Sequence, residues 1–519
     1  MNLCGLIERC ALINGNSAAI IDGETRYSWR QARDRIARLG NGLTSLGCQE
    51  GDRVAILGLN SHRYFESIFA APWAGGVMVP INIRLAAPEM VHCLSDSGTS
   101  ILLVDDAFLP VAEEIAGQID SLRHVVHMGD GARPGCSTHH EALIAENEPV
   151  DYAGRGPEDI SGLYYTGGTT GLSKGVMLSH ANQVINALQT RMAFSMDTDT
   201  KYLNVAPMFH AANMIGMLNA TVAAATHVFI PAFTPEGVLK IVEQEKVSHS
   251  AMVPTMINMV FHDPDFDDYD LSSIRTLLYG GSPMAESVIA RVTECLPKAR
   301  MVQAYGLTET SPILTVLGPE YHTFEGPQAG KTRAAGQVVP GTELCIQDDD
   351  GNQCKSGVVG EVCTRGPNIM QGYWNLPEQT AEAMRGGWFH TGDGGYMDED
   401  GFLYISDRMK DMIVTGAENV YSIEVENALF QHPSVESCAV IGIPSEQWGE
   451  EVHAVVILAE GHEASVDELI RHCHKLIAGY KCPRGITFRD EPLPLSGAGK
   501  ILKRTLREPF WEGHDRQVN

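Results

Sequence analysis

The chain has 519 residues, 44% hydrophobic and 20% charged, too long for one core and suited to roughly three domains or subdomains. That composition excludes a disordered chain, a fibrous repeat and a coiled coil. A formal net charge of −27 argues against nucleic acid and anionic membrane faces as partners, so an anionic ligand would need a local nest of backbone N–H groups and a few lysines.

Residues 1–9 lack a basic segment and a long apolar run. The apolar stretch 205–230 is interrupted by Pro207, His210, Asn213, Asn219 and His227, so no transmembrane segment is predicted and a cytoplasmic location is expected. Residues 54–57 and 101–104 read as short buried strands. After Ser179, Val184, Leu188 and Met192 recur at helical spacing. Residues 276–279 read as a strand followed by Gly280-Gly281-Ser282-Pro283. Ser282 is expected to cap a helix with Pro283 at its first position and Val288, Ile289, Val292 and Leu296 on one face. This alternation predicts parallel α/β layers.

From about residue 326 to 404, frequent glycine and short strands predict a small β-rich subdomain. After Asp407-Arg408-Met409-Lys410-Asp411 comes a compact block. It holds a helix over 423–429, strands over 438–443 and 452–458, a helix opened by the capping box Ser465-Val466-Asp467-Glu468, and a basic loop around Lys500. The fold class is therefore α/β: a large N-terminal domain over 1–407 and a small α+β domain over 411–519, joined at 408–410 by a charged junction that reads as a hinge.

The twelve cysteines include no C-x-x-C pair and read as scattered reduced thiols. His472-Cys473-His474 lies in a helical stretch that sends neighbouring side chains in different directions, which favours a solvated helix over a zinc site.

The chemistry concentrates after a strand predicted over 160–165. Thr166-Gly167-Gly168-Thr169-Thr170-Gly171-Leu172-Ser173-Lys174-Gly175 combines glycines that let backbone N–H groups approach a ligand, hydroxyls that donate to phosphate oxygens, and a lysine charge. It is not a Walker A loop, because Ser173-Lys174-Gly175 lacks the Gly-Lys-Ser/Thr order.

With Tyr165 in front, this segment resembles the signature of the adenylate-forming superfamily, which holds acyl- and aryl-CoA synthetases, peptide-synthetase adenylation domains and beetle luciferase. Gly167 stands where the family usually has Ser, and Ser173 where it often has Pro. Further segments resemble the family's other motifs in family order: Gln303-Ala304-Tyr305-Gly306-Leu307-Thr308-Glu309-Thr310, Gly387-Trp388-Phe389-His390-Thr391-Gly392-Asp393, the hinge Asp407-Arg408-Met409-Lys410-Asp411, and Ser496-Gly497-Ala498-Gly499-Lys500.

The resemblance implies an ATP-dependent carboxylic acid–CoA ligase. A carboxylate attacks the α-phosphate of ATP, releasing pyrophosphate, and the thiol of coenzyme A then displaces AMP. It implies that Thr166, Gly167, Gly168, Thr169, Thr170 and Lys174 hold phosphates and that Glu309 binds Mg²⁺. Tyr305 and Gly306 would lie along adenine, Thr308 would contact the AMP phosphate, and Asp393 and Arg408 would reach the ribose. Lys500 would act as the mobile catalytic lysine, Lys410 as the pivot, and Gly416, Ala417 and Glu418 would face the pantetheine arm. Ala417 and Ser422 replace a usual Gly and Pro.

Ala206-Pro207-Met208-Phe209-His210-Ala211-Ala212-Asn213-Met214 resembles the acyl-pocket lining. His210 follows Phe209 with no acid nearby, which argues against an amino-acid substrate. Ala211, Ala212, Met214, Met252 and Met256 are small or pliable: the methionines read either as core filler or as lining, and in the second case the pocket is apolar and roomy. A medium- or long-chain fatty acid is expected. An aryl or cinnamate-type acid, and a carrier-protein thiol in place of coenzyme A, stay open, as does a homodimer.

Overall fold

The computed structural model describes residues 1–130, 135–166, 173–282, 284–408, 412–415, 418–445, 448–496 and 501–512; of Asp407, Arg408, Val414, Glu418 and Asn419 it describes only the backbone. Two large sheets carry the N-terminal part. One has eight strands, ordered Gly372–Tyr373, Lys174–Ser179, Ile160–Thr166, Val77–Pro80, Arg53–Leu57, Thr99–Val104, His124–His127 and Thr138–His139. The other has nine, with Arg300–Tyr305, Thr276–Gly280, His249–Met252 and Lys201–Asn204 in parallel register at its centre. Thr99–Val104 is buried along its whole length, as a parallel strand covered on both faces must be.

One apolar core joins the two sheets. Helices His62–Trp73, His180–Phe194 and Ala211–Ala223 contribute Tyr64, Phe65, Phe69, Phe194 and Met217 to it, alongside Ile56 and Leu103 from one sheet and Tyr202 and Phe229 from the other. Two further cores cover the outer faces of the sheets. No helix among the described residues is long and apolar enough to cross a membrane.

A four-stranded antiparallel sheet of Glu343–Gln347, Gly360–Arg365, Phe389–Met397 and Leu403–Arg408 forms the predicted β-rich part. Two strands of that region go elsewhere. Gln337–Val338 extends the nine-stranded sheet, and Gly372–Tyr373 pairs with Lys174–Ser179. The C-terminal block has its own sheet and core, built on Val435–Ser445 and Gly449–Leu458.

Three local expectations are corrected. The helix His180–Phe194 forms, but Leu188 and Met192 are 47% and 88% exposed while Val184 is buried. The buried face carries polar side chains that bond to other segments instead: Asn182 to the carbonyls of Pro367 and Ile369, and Asn186 to the backbone of Ile313. The helix after Gly281 begins at Glu286 with Ala285 as its uncapped start, so Ser282 is not its cap. The tail read as a loop contains a helix, Lys503–Trp511, whose Leu506 packs with Ala439 and Ile441.

The cysteines form no disulfide among the described residues. His472 bonds to the Ala428 carbonyl, Cys473 faces the core and His474 is exposed at the helix end.

Candidate active site

Parallel strands leave their C-terminal ends open, and the loops there collect functional groups. Three such ends meet in one cleft of about 2890 Å³, far above the roughly 300–1,000 Å³ that a single small ligand needs. It is lined by Thr166 and Lys174, by Gly280 to Ser282, by Tyr305 to Glu309, and by residues of the C-terminal block.

Thr166 ends one strand and Lys174 begins the next, paired directly across the mouth of the hairpin. Behind them Tyr164 donates to Gln183 Oε1 (2.9 Å), and Gln183 donates to Ser161 Oγ (2.7 Å), which ties this hairpin to the helix that follows it. Gly167, Gly168, Thr169 and Thr170 lie outside the described residues.

The strand Arg300–Tyr305 runs into the 3₁₀ turn Thr308–Thr310. Between them Gly306 sits where a methyl group would overlap the Pro312 carbonyl oxygen, so only glycine allows this close turn. The turn buries Glu309, 9% exposed. Tyr373 donates its hydroxyl to Glu309 Oε1 at 3.0 Å, and the Lys174 ammonium lies 5.2 Å from the centre of the same ring. One aromatic side chain thus touches a carboxylate at its rim and a cation at its face. Burial first, then the Glu309 charge, pushes the Tyr373 phenol well above its usual range, so it stays a donor.

Asp393 is 6% exposed and accepts from the Tyr305 hydroxyl at 2.7 Å. Arg408 is its cross-strand neighbour by backbone register. Thr308 lines the same cleft. His210 caps the helix Ala211–Ala223, its Nδ1 accepting from the Ala212 N–H at 3.1 Å. A neutral ring in that position carries its hydrogen on Nε2.

Phe194, Phe209, Ala211, Ala212, Gly216 and Met252 line the same cleft as His210. Met214 and Met256 belong to the apolar cores and are not among the lining residues, which corrects the wider expectation.

From the C-terminal block, the Ser496 carbonyl accepts from Arg84 Nη1 at 2.8 Å, placing Ser496 against the N-terminal part. Lys410, Gly416, Ala417 and Lys500 lie outside the described residues, and Glu418 is described only as backbone of Glu418–Val420. The motifs led to Thr166, Lys174, Tyr305, Gly306, Thr308, Glu309 and Asp393. They did not lead to Tyr373, which reaches the site because its short strand joins a sheet far from its own region of the sequence.

The donor set fits a nucleoside triphosphate. An acidic acceptor beside a tyrosine suits a ribose, and hydroxyl plus ammonium suit phosphates. A buried carboxylate suits a hard divalent cation by its oxygen donors.

Comparison with known proteins agrees. The family model described as AMP-binding enzyme matches residues 7–374, and AMP-binding enzyme C-terminal domain matches 424–500. A feruloyl-CoA synthase of Amycolatopsis sp is 40% identical over 97% of this chain and 98% of its own. The fatty acid–[acyl-carrier-protein] ligase ScoC of Streptomyces coeruleorubidus is 36% identical over 97% and 95%. The anthranilate CoA ligase AuaEII, solved in complex with anthranoyl-AMP, superposes with a TM-score of 0.92 at 28% identity, covering 98% of this chain and 97% of that one. The chain belongs to the AMP-binding enzyme family and is an ATP-dependent, AMP-forming acyl-CoA synthetase.

Proposed function

We propose that the acid activated here is an aryl monocarboxylic acid of the cinnamate type, in preference to the medium- or long-chain fatty acid that the sequence first suggested. The observation that carries this reading is the kind of side chain that lines the cleft near residues 206–216. Phe194, Phe209, Ala211 and Gly216 line the same cleft as His210, and together they are an apolar and partly aromatic set suited to a ring. The Amycolatopsis relative is a feruloyl-CoA synthase, in the same direction.

In the first half-reaction the substrate carboxylate oxygen attacks the α-phosphorus of ATP. An O–P bond forms, and the bond to the β-phosphate oxygen breaks to release pyrophosphate. Neither step asks for a protein nucleophile, so orientation and charge carry the rate. His210 Nε2–H donates to the carboxylate. Thr166 and Lys174, with Gly167, Gly168, Thr169 and Thr170, hold the β- and γ-phosphates. Tyr305 and Gly306 lie along the adenine, and Asp393 and Arg408 hold the ribose. Thr308 binds the α-phosphate. Glu309 would hold Mg²⁺, whose charge when bound neutralises phosphate oxygens. Lys500 covers the charge that develops between carboxylate and α-phosphate.

In the second half-reaction the thiol of coenzyme A loses its proton to solvent, its sulfur attacks the acyl carbonyl, and AMP leaves with the carbon–oxygen electron pair. Turning the C-terminal block about 408–410, with Lys410 at the pivot, would withdraw Lys500 and bring Gly416, Ala417 and Glu418 to the pantetheine arm.

The test is pyrophosphate release across hydroxycinnamates, benzoates, indoleacetate and saturated fatty acids of graded length. The highest kcat/KM is expected for a hydroxycinnamate. A long-chain fatty acid ahead of every aryl acid would overturn the assignment, as would turnover with a carrier-protein thiol but none with coenzyme A.

A further inference from the structure

The strand Phe389–Met397 does not run regularly beside Gly360–Arg365. Glu361 pairs with Gly394 and Cys363 with His390, so Val362 alone faces Thr391, Gly392 and Asp393. Extra residues on one strand form a bulge, which bends that strand and re-aims its side chains. Gly392 takes the positive φ (+72°) that this path requires. The bulge is what turns Asp393 toward the cleft and the Tyr305 hydroxyl.

A bulge breaks the ladder, and the released backbone groups need other partners. Here side chains supply them. Glu361 Oε1 accepts from the Gly392 N–H at 3.1 Å. Thr391 Oγ1 donates to the Val362 carbonyl at 2.8 Å and accepts from the Asp393 N–H at 3.1 Å. The other Glu361 oxygen is itself fixed, by His390 Nδ1 at 2.8 Å and Arg385 Nη2 at 2.8 Å. The Glu361 side chain is 19% exposed and that of His390 8%.

Glu361, Cys363 and His390 also bring three potential metal-ligand atoms within 4.8 Å of one another. The metal reading is the weaker one. The Arg385 guanidinium occupies the Glu361 oxygen that bonds His390, a place a cation would have to take. Burial and the Glu361 charge push the Cys363 thiol far above its ordinary value, away from a thiolate ligand.

We propose that Glu361 is a positioning residue for nucleotide recognition: anchored by His390 and Arg385, it holds the Gly392 bulge and thereby aims Asp393 at the ribose hydroxyls. This rests on the reading of Asp393 as the ribose acceptor. The role gives Glu361 a signature that a general stabilising role lacks. Its loss should erode discrimination between ATP and 2′-deoxy- or 3′-deoxy-ATP, not only total activity.

The test compares kcat/KM for the three nucleotides by pyrophosphate release, and their affinities by calorimetry, in the full-length enzyme. Asp393→Ala serves as the reference. If it leaves the ATP preference intact, the ribose reading itself is wrong. If it lowers the preference and leaves a measurable remainder, Glu361 can be judged separately. Glu361→Ala is then expected to cut the preference about tenfold, as a small misplacement of a binding group does. Glu361→Gln, which keeps an acceptor for the Gly392 N–H, should lie between wild type and Ala. Adding Glu361→Ala to Asp393→Ala should cause no further loss of preference. A wild-type preference in Glu361→Ala, or a full additional loss in the double variant, overturns the proposal. Should the Ala variant not fold, the Gln variant decides: a reduced preference supports the proposal and an unchanged one overturns it.

Discussion

Tyr373 is the side chain that links the two charges of the proposed phosphate end, with its hydroxyl on Glu309 and its ring face toward Lys174. Phenylalanine in its place keeps the ring and deletes the bond to the carboxylate. Hydrogen bonds to charged groups contribute about 1.5–3 kcal/mol, so Tyr373→Phe is expected to raise KM for Mg·ATP at least several-fold while KM for the acid stays near wild type. Initial rates over a matrix of ATP and acid concentrations check this, and an unchanged nucleotide KM would remove Tyr373 from the site. Lys500 makes a sharper case. Lys500→Ala should abolish pyrophosphate release yet leave thioester formation from supplied acyl-adenylate largely intact, and equal loss in both half-reactions would refute its assignment.

At the scale of the element, close turns place the functional groups. Gly306 lets the chain fold back between the strand Arg300–Tyr305 and the turn that carries Glu309, with the Pro312 carbonyl where a methyl group would stand. Gly306→Ala must push that backbone aside and is expected to weaken nucleotide binding by an order of magnitude or more. Calorimetric titration with ATP checks it, and wild-type affinity would mean the turn has slack. Helix His180–Phe194 teaches the opposite lesson about pattern. Its apolar spacing marked a helix correctly, but Leu188 and Met192 face outward. Asn182, Asn186 and Gln183 are buried because distant backbone and side-chain groups satisfy them, and hydrophobic periodicity has no means of registering such bonds.

Across the whole molecule, one property follows from how the parts pack. Burial lowers His227 to about 3, and His180, His249 and His322 to about 4. Unfolded, each would titrate near ~6.5. Between those values the unfolded chain binds more protons, so stability is full above that unfolded value and falls on acidification toward pH 4. The loss approaches about 1.4 kcal/mol per pH unit for each histidine. The melting temperature should therefore drop between pH 7 and pH 5, with a shallower drop in His227→Phe; equal slopes for the two proteins would exclude His227 as a contributor. The proposed turning of the C-terminal block has its own test. Lys410→Pro is expected to spare acyl-adenylate formation and cripple thioester formation, measured as separate half-reactions, and unchanged overall turnover would count against a pivot there.

The linear sequence determined the chemistry that neighbouring residues make together. The glycine- and threonine-rich segment after a strand, the acid after Tyr305-Gly306 and the acid after Thr391-Gly392 are local patterns, because a loop that binds phosphate or turns a carboxylate inward is built from consecutive residues. The alternation of strands and helices was legible for the same reason. The tertiary structure decided which distant segments support those groups. Tyr373 reaches Glu309 only because its two-residue strand joins the sheet of Lys174, and Glu361 reaches Gly392 only through a cross-strand bulge. Contacts of this kind depend on register between strands, and register is fixed by the packing of the whole sheet rather than by any short run of residues.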